Sequence, residues 1–424
     1  MLIKFSVSNY RSFRERQTLS MVAAPRLGKR ENVFKPELNG EKFPNLLKVA
    51  VIYGPNASGK SNLLKALDVV RQIAYREPST RDIPLPIAPF RFDTSLADQP
   101  SVFELHFIHA GIRYQFNLAA TSERIVGEKL VAFPKGRESM LYERQHTTQG
   151  ESYSFGTQLK TGLSVELLAV WQKLTPPRLL FVAQAVANSS EDTNPLMAPF
   201  EWLKESSYSL LNGMDSMASI AQRLAGKNAL HAESIASFLR EVDVPIANIR
   251  IETVETPETR LNALAGLTNK EEPSTTSVTT KNKTILTHKT ALGEADLSYE
   301  DESDGTKNLI GFWLPWITKT LSQDRDRLLV VDELDSSLHP KIVASLVEKH
   351  INSETTSQLI FTTHDTHLMD AKLLRRDQFW ITERDINGAT KLRSIHDFEG
   401  RDSEDIEKRY YEGRYRGLPF VKQR

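Results

Sequence analysis

A chain of 424 residues with 40% hydrophobic content is long enough to fold into roughly two or three packed lobes. Its 54 basic and 54 acidic residues cancel, so no global attraction to nucleic acid or to a membrane surface follows, and any such contact must be local. The lack of cysteine excludes disulfides and thiolate zinc sites, and neither a signal-peptide core at MLIKFSVSNYRSF nor an apolar run near the roughly eighteen residues of a membrane span appears, which points to a cytoplasmic protein without membrane contact.

Residues 1–155 read as short strands around one loop. FSVSNY, SVFELHFI and IRYQFNLAA alternate, or nearly alternate, apolar and polar residues, as half-buried antiparallel strands do, and Pro84, Pro86 and Pro89 mark a loop before Phe90. Embedded among them, the apolar run LLKVAVIY leads into GPNASGKS, residues 54–61, and then into the helix-like SNLLKALDVV. A G-x-x-x-x-G-K-S spacing between a strand and a helix is a phosphate-binding loop. Gly54 and Gly59 let backbone N–H groups curl around phosphates, Asn56 and Asn62 flank the cradle, and Lys60 reaches the β and γ oxygens. The Ser61 hydroxyl is placed to bind Mg²⁺, and the helix turns its positive end toward the anion, so ATP with Mg²⁺ is the expected cofactor.

Residues 156–242 change to helical spacing in LSVELLAVWQKL, FEWLKESSYSLL and SIASFLREV, without a useful heptad run. They read as a compact helical insertion, a place for a partner or for self-assembly, or else as helices that simply cap a sheet. From Thr253 to Thr287 the chain is polar and reads as a hairpin with a long or mobile loop. Two basic patches, Arg11, Arg14, Arg16, Arg26, Lys29 and Arg30, and Lys281, Lys283 and Lys289, are candidates for nucleic-acid phosphates, Arg11 excepted because it has a better use at the nucleotide, or for plain solvated faces.

Residues 243–424 carry the second half of the machinery. RLLVVDELDSSLHP is an apolar strand ending in Asp332 and Glu333, two acids suited to metal chemistry: Asp332 for the Mg²⁺ shell, Glu333 to polarise an attacking water. SQLIFTTHD is a further apolar strand, ending at His364. His364, Asp365 and His367 imitate a metal site, but their place after the acidic strand favours a different use.

ELDSSLHP resembles the D-loop of ABC-type ATPases, which include SMC, DNA-repair and anti-phage proteins. That resemblance implies an α/β fold, an ABC-type P-loop ATPase head with an antiparallel β lobe (in 1–155), a helical insertion (156–242) and a C-terminal lobe (243–424). It also assigns roles. ESDGTK, residues 302–307, stands where the signature helix begins, with Ser303, Gly305 and Thr306 as its nucleotide-facing residues; Asp304 and Thr306 depart from the usual LSGGQ, and Asp304 is expected to face away from the phosphates. His364 becomes the switch histidine, Asp335 with Ser336 passes its signal on, and FSVSNYRSF brings Arg11 and Ser12 near the nucleotide. Gln115 and Gln99 are weak candidates for the Q-loop residue. With one phosphate loop and one signature per chain, a complete site needs two chains, so the resemblance implies a homodimer or a higher even oligomer tightened by ATP.

PFRFD at 89–93 and the ending YYEGRYRGLP are similar to AAA-type, ABC-like ATPases of abortive-infection and restriction-linked operons, the RloA and AbiL kind. This implies phage defence, with the chain as an ATP-hydrolysing sensor or scaffold that controls a separate toxic effector, a nuclease by expectation, in response to a phage protein or DNA. The stretch after His364 is too short for the Toprim nuclease that overcoming-lysogenisation-type relatives append. The alternative is an SMC-like or DNA-repair ATPase acting on DNA ends, against which the missing coiled coil counts.

Overall fold

The computed structural model describes residues 1–77, 82–189, 194–205, 207–211, 214–259, 276–321, 327–370, 372–400 and 404–418. These pack as two compact units, one of residues 1–212 with 319–424 and one of residues 213–318.

In the first unit, short runs such as VAVIY and LLVV are apolar at every position, the signature of strands covered on both faces. They form a six-stranded sheet in the order Ser207–Leu210, Leu328–Val331, Gln358–Thr362, Val49–Tyr53, Phe379–Arg384, Thr390–Ser394. The first five strands run parallel and the last antiparallel. Because Val330 pairs with Ile360 and Ile360 with Ala50, the ends of the three central strands reach the same edge, where loops of parallel sheets hold ligands.

The alternating runs build a second, antiparallel sheet of seven strands in the order Gly150–Phe155, Ser139–Thr147, Ile125–Phe133, Ile112–Ala120, Ser101–His109, Leu2–Ser8, Gln17–Ser20. Alternation puts Phe103, Leu105 and Phe107 on its buried face. Gln358 explains itself here: on a fully buried strand of the parallel sheet, its side chain accepts from Leu2 N at 2.6 Å and donates to Leu2 O at 2.9 Å, satisfying the first strand's backbone.

The helical stretch divides between the units. Helices Val165–Leu174, Phe181–Ala187 and Met197–Glu205 bury Trp171, Phe181 and Trp202 in the core of the first unit, with Trp202 stacked on Phe107 at 4.0 Å. Helices that fill a core this way are cappers of the sheet. Helices Asp215–Lys227 and Ala229–Glu241 belong to the second unit, with a three-stranded sheet of Ile246–Thr259, Thr276–Thr290 and Gly293–Ser298 and the helix Asp304–Leu321. The polar stretch forms an antiparallel ladder running from Ile246 opposite His288 to Thr259 opposite Thr276. The loop anticipated at its tip lies outside the described residues.

Candidate nucleotide-binding site

The strand Val49–Tyr53 ends in the phosphate loop, and the helix Lys60–Ala74 follows. Glycine is required at both ends of the loop. Gly54 and Gly59 adopt φ of 152° and 104°, and a Cβ at Gly59 would overlap Thr390 Oγ1 and Ser12 Oγ. No side chain caps the helix, and its ladder begins with Leu63 N donating to Gly59 O at 3.0 Å, so the amides of Lys60, Ser61 and Asn62 lie ahead of it. Lys60 is buried and donates to the carbonyls of Gly54 at 2.9 Å and Pro55 at 3.3 Å. Desolvation lowers its pKa, while Asp332, Glu333 and Asp335 pull the other way, which places those acids within electrostatic reach of the ammonium. Asn56 is exposed in the loop.

Thr362, at the end of the neighbouring strand, organises the acids. Its hydroxyl donates to Asp332 Oδ1 at 2.6 Å and accepts from Glu333 N at 2.8 Å, while its carbonyl accepts from Leu334 N at 3.1 Å. Glu333 sits at φ 53°, a left-handed conformation that a non-glycine residue holds only when its surroundings enforce it, and its side chain is exposed. Asp335 Oδ2 accepts from His364 N at 3.3 Å, and Tyr53 donates its hydroxyl to Asp365 O at 2.9 Å. Asp335, the segment His364–Asp365 and the phosphate-loop strand are thereby joined. Burial, with Asp365 and Asp335 nearby, holds the Tyr53 phenol well above its usual pKa, so it remains a donor.

Ser12 joins the N-terminal turn to the loop. Its hydroxyl accepts from Asn62 Nδ2 at 2.9 Å and donates to Thr390 Oγ1 at 2.8 Å, whose own proton goes to Ser58 O, and its carbonyl accepts from Thr390 N at 2.7 Å. Arg11, at φ 49°, is exposed and turns its guanidinium over the Tyr10 ring. The PFRFD segment braces this turn: Phe90 N donates to Asn9 Oδ1, Arg11 N to Ala88 O, and Arg14 pairs with Asp93 at 2.7 Å.

In the second unit, Ser303 caps the helix Asp304–Leu321 by accepting from Thr306 N at 3.2 Å. Asp304 is exposed in the first turn, where an acid suits the helix dipole, whereas Thr306 is buried with its hydroxyl 3.0 Å from that of Ser303, and Gly305 is half-buried between them. Gln115 lies mid-strand in the antiparallel sheet, opposite His106 and Val131, and Gln99 in an exposed turn. Of the basic residues, Arg14 and Arg16 are paired with Asp93 and Glu104, Lys29 donates to Leu374 O, and Lys289 pairs with Glu294. The Lys281 side chain lies outside the described residues. His364, Asp365 and His367 form no ligand cluster; among the described residues no three His, Asp or Glu side chains are grouped for a metal.

The uncapped helix start, the buried ammonium and two acids at the end of the strand Leu328–Val331, one strand removed from the phosphate-loop strand, are the donor set a triphosphate with a divalent cation requires. A model of the family described as "AAA domain, putative AbiEii toxin, Type IV TA system" matches residues 49–152 and 226–370, more than half of the chain. The chain belongs to this AAA family. The matched residues include the phosphate loop, Asp332, Glu333 and His364.

Among solved structures, the chain is similar to the SMC head domain from Thermotoga maritima, at 15% identity and a TM-score of 0.40, covering 93% of this chain and 98% of that one. It is also similar to an SmcHead bound to the C-winged helix domain of ScpA, at 14% identity and a TM-score of 0.41, covering 97% and 99%. Similarity this loose carries no detail of function. No curated protein matches the chain. No helix among the described residues is long and apolar enough to cross a membrane.

Sequence reasoning missed Thr362, Tyr53 and Thr390. Each is an ordinary strand residue by pattern, and only pairing across the sheets shows what its hydroxyl holds.

Proposed function

We propose that this protein is a slow ATPase whose two nucleotide sites are completed only when two chains close on each other, and that this closure controls a separate toxic effector, a nuclease, in phage defence. The observation that carries the reading is the convergence of the phosphate loop, Asp332, Glu333, Asp335 and His364 at one sheet edge, tied together by Thr362 and Tyr53.

When bound, Mg-ATP supplies the phosphoanhydride to be cleaved. Lys60 and the helix amides neutralise the phosphates, Ser61 and Asp332 hold the cation, and Glu333 takes the proton of the attacking water. His364 senses the terminal phosphate, Arg11 and Ser12 line the near side, and Ser303 with Gly305 of a second chain closes the far side. The family's description as a putative toxin of a toxin–antitoxin system supports the defence setting. The DNA-end reading draws less support, because Arg14 and Arg16 are already paired with acids.

The test is the solution mass of Glu333→Gln by light scattering. A mass that doubles only with Mg-ATP supports the clamp; a mass unchanged by nucleotide, with turnover as fast as the parent, overturns both the clamp and the role of Glu333.

A further inference from the structure

The helix Ile406–Tyr411 lies beyond the residues that match the family, yet it touches the segment after His364. Thr366 Oγ1 donates to Glu407 Oε1 at 2.7 Å and lies 3.0 Å from the Tyr411 hydroxyl. A threonine hydroxyl has one proton, and Glu407 takes it, so Tyr411 is the donor in the second bond. The preceding residue of the helix is turned to the core: the Tyr410 ring packs 6.2 Å from that of Tyr53, and its hydroxyl donates to Gly417 O at 2.8 Å. Tyr53 in turn holds Asp365 O. The three residues His364, Asp365 and Thr366 are thus each held by a different element: His364 N by Asp335, Asp365 O by Tyr53, and Thr366 by Glu407 and Tyr411.

A purely structural tail would be anchored by its apolar side chains, and Ile406, Tyr410 and Tyr415 do this. Glu407 and Tyr411 do something further. Tyr411 is 60% exposed, and the polar atoms of both residues are directed at one hydroxyl two residues from the switch histidine. With bonds at 2.7 and 3.0 Å, this contact restrains the backbone that carries His364 without restraining the imidazole, which stays exposed.

We propose that Glu407 and Tyr411 are positioning residues that set His364 for nucleotide turnover through Thr366, so that the C-terminal helix tunes the switch. The proposal rests on the function proposed above. It also gives that helix a use as a control point, because anything that lifts Glu407 and Tyr411 from Thr366 frees the switch segment without touching the nucleotide.

The experiment compares the parent chain with Thr366→Val, Glu407→Gln and Thr366→Ser. Amide hydrogen exchange of peptides spanning 359–370, without nucleotide, is expected to speed up about tenfold in the Val and Gln variants, while the helix Lys60–Ala74 exchanges as before. Their kcat should fall by about 10- to 100-fold with KM within about twofold, as for a misplaced but intact catalytic group. Thr366→Ser keeps the hydroxyl and should match the parent in both measurements. The proposal is overturned if the Val and Gln variants exchange and turn over like the parent. It is equally overturned if exchange rises throughout the chain, because the contact then only supports the fold. If the parent hydrolyses no ATP, the ATPase reading fails while the exchange measurement still decides whether Glu407 and Thr366 hold the switch segment.

Discussion

At the scale of single residues, the site depends on hydroxyl groups that bridge strands. Thr362 is fully buried and serves as donor to Asp332 and acceptor for Glu333 N, so its hydroxyl both orients one acid and stabilises the left-handed turn at the other. Thr362→Val keeps the shape but leaves the Glu333 amide without this partner, and is expected to cost about 1–3 kcal/mol of stability. A denaturant titration measures that cost. Turnover should fall by more than nucleotide affinity does, since Lys60 and the phosphate loop are untouched; equal losses in both would mean that the turn also shapes the binding cradle. The motif residues themselves were legible because a phosphate needs glycines and a lysine at one spacing. Thr362 was not, because a threonine ending a strand looks like any other until the neighbouring strand is placed beside it.

At the scale of elements, a buried ion pair joins the antiparallel sheet to the helices that cover it. Glu128 and Arg144, both almost wholly buried, lie 3.8 Å apart; the carboxylate accepts from Phe181 N at 2.9 Å and Val182 N at 3.3 Å, and Arg144 donates to Leu179 O at 2.8 Å. The carboxylate therefore sits against the start of the helix Phe181–Ala187. Burial raises the pKa of Glu128, with Arg144 and the hydrogen bonds from Tyr142, Phe181 and Val182 opposing. Between its ordinary and raised values, the native state keeps a proton that the unfolded state has lost. The associated stability is fully present below the ordinary value and is lost as pH rises through the raised one. Glu128→Gln should flatten that part of the stability profile, and Glu128→Ala should cost about 1–3 kcal/mol because it leaves the buried Tyr142 hydroxyl and the amides of Phe181 and Val182 without their acceptor, while Arg144 keeps Glu151. Chemical denaturation across the acid range checks both; a Gln variant with the parent's slope would assign the pH dependence to another group.

At the scale of the whole molecule, the charges balance, and Arg14 and Arg16 are paired with Asp93 and Glu104. On the proposed function, double-stranded DNA should leave ATP turnover unchanged at physiological salt, and stimulation lost on replacing Arg14 and Arg16 would move the protein to the DNA-end reading. Lys60→Ala should bind no nucleotide and so show no ATP-dependent gain in mass, at the same melting temperature as the parent within a few degrees. A Lys60→Ala chain that still doubles in mass with ATP would remove the phosphate loop from the assembly step.

The antiparallel strands were readable because alternation reports one wet and one dry face, and the central parallel strands because unbroken apolar runs report two dry ones. The motifs GPNASGKS and VVDE were readable as candidates because phosphate and metal demand particular residues at fixed spacing. What required the tertiary structure was every relation between segments distant in the chain. Helices at 157–205 are core rather than a free platform because Trp171, Phe181 and Trp202 meet the inner face of the antiparallel sheet. Thr366 meets Glu407 only because the tail returns to the segment after His364. Local pattern records how a residue meets water, whereas a hydrogen bond across forty residues depends on where the packed sheets bring the two ends, and no periodicity encodes that.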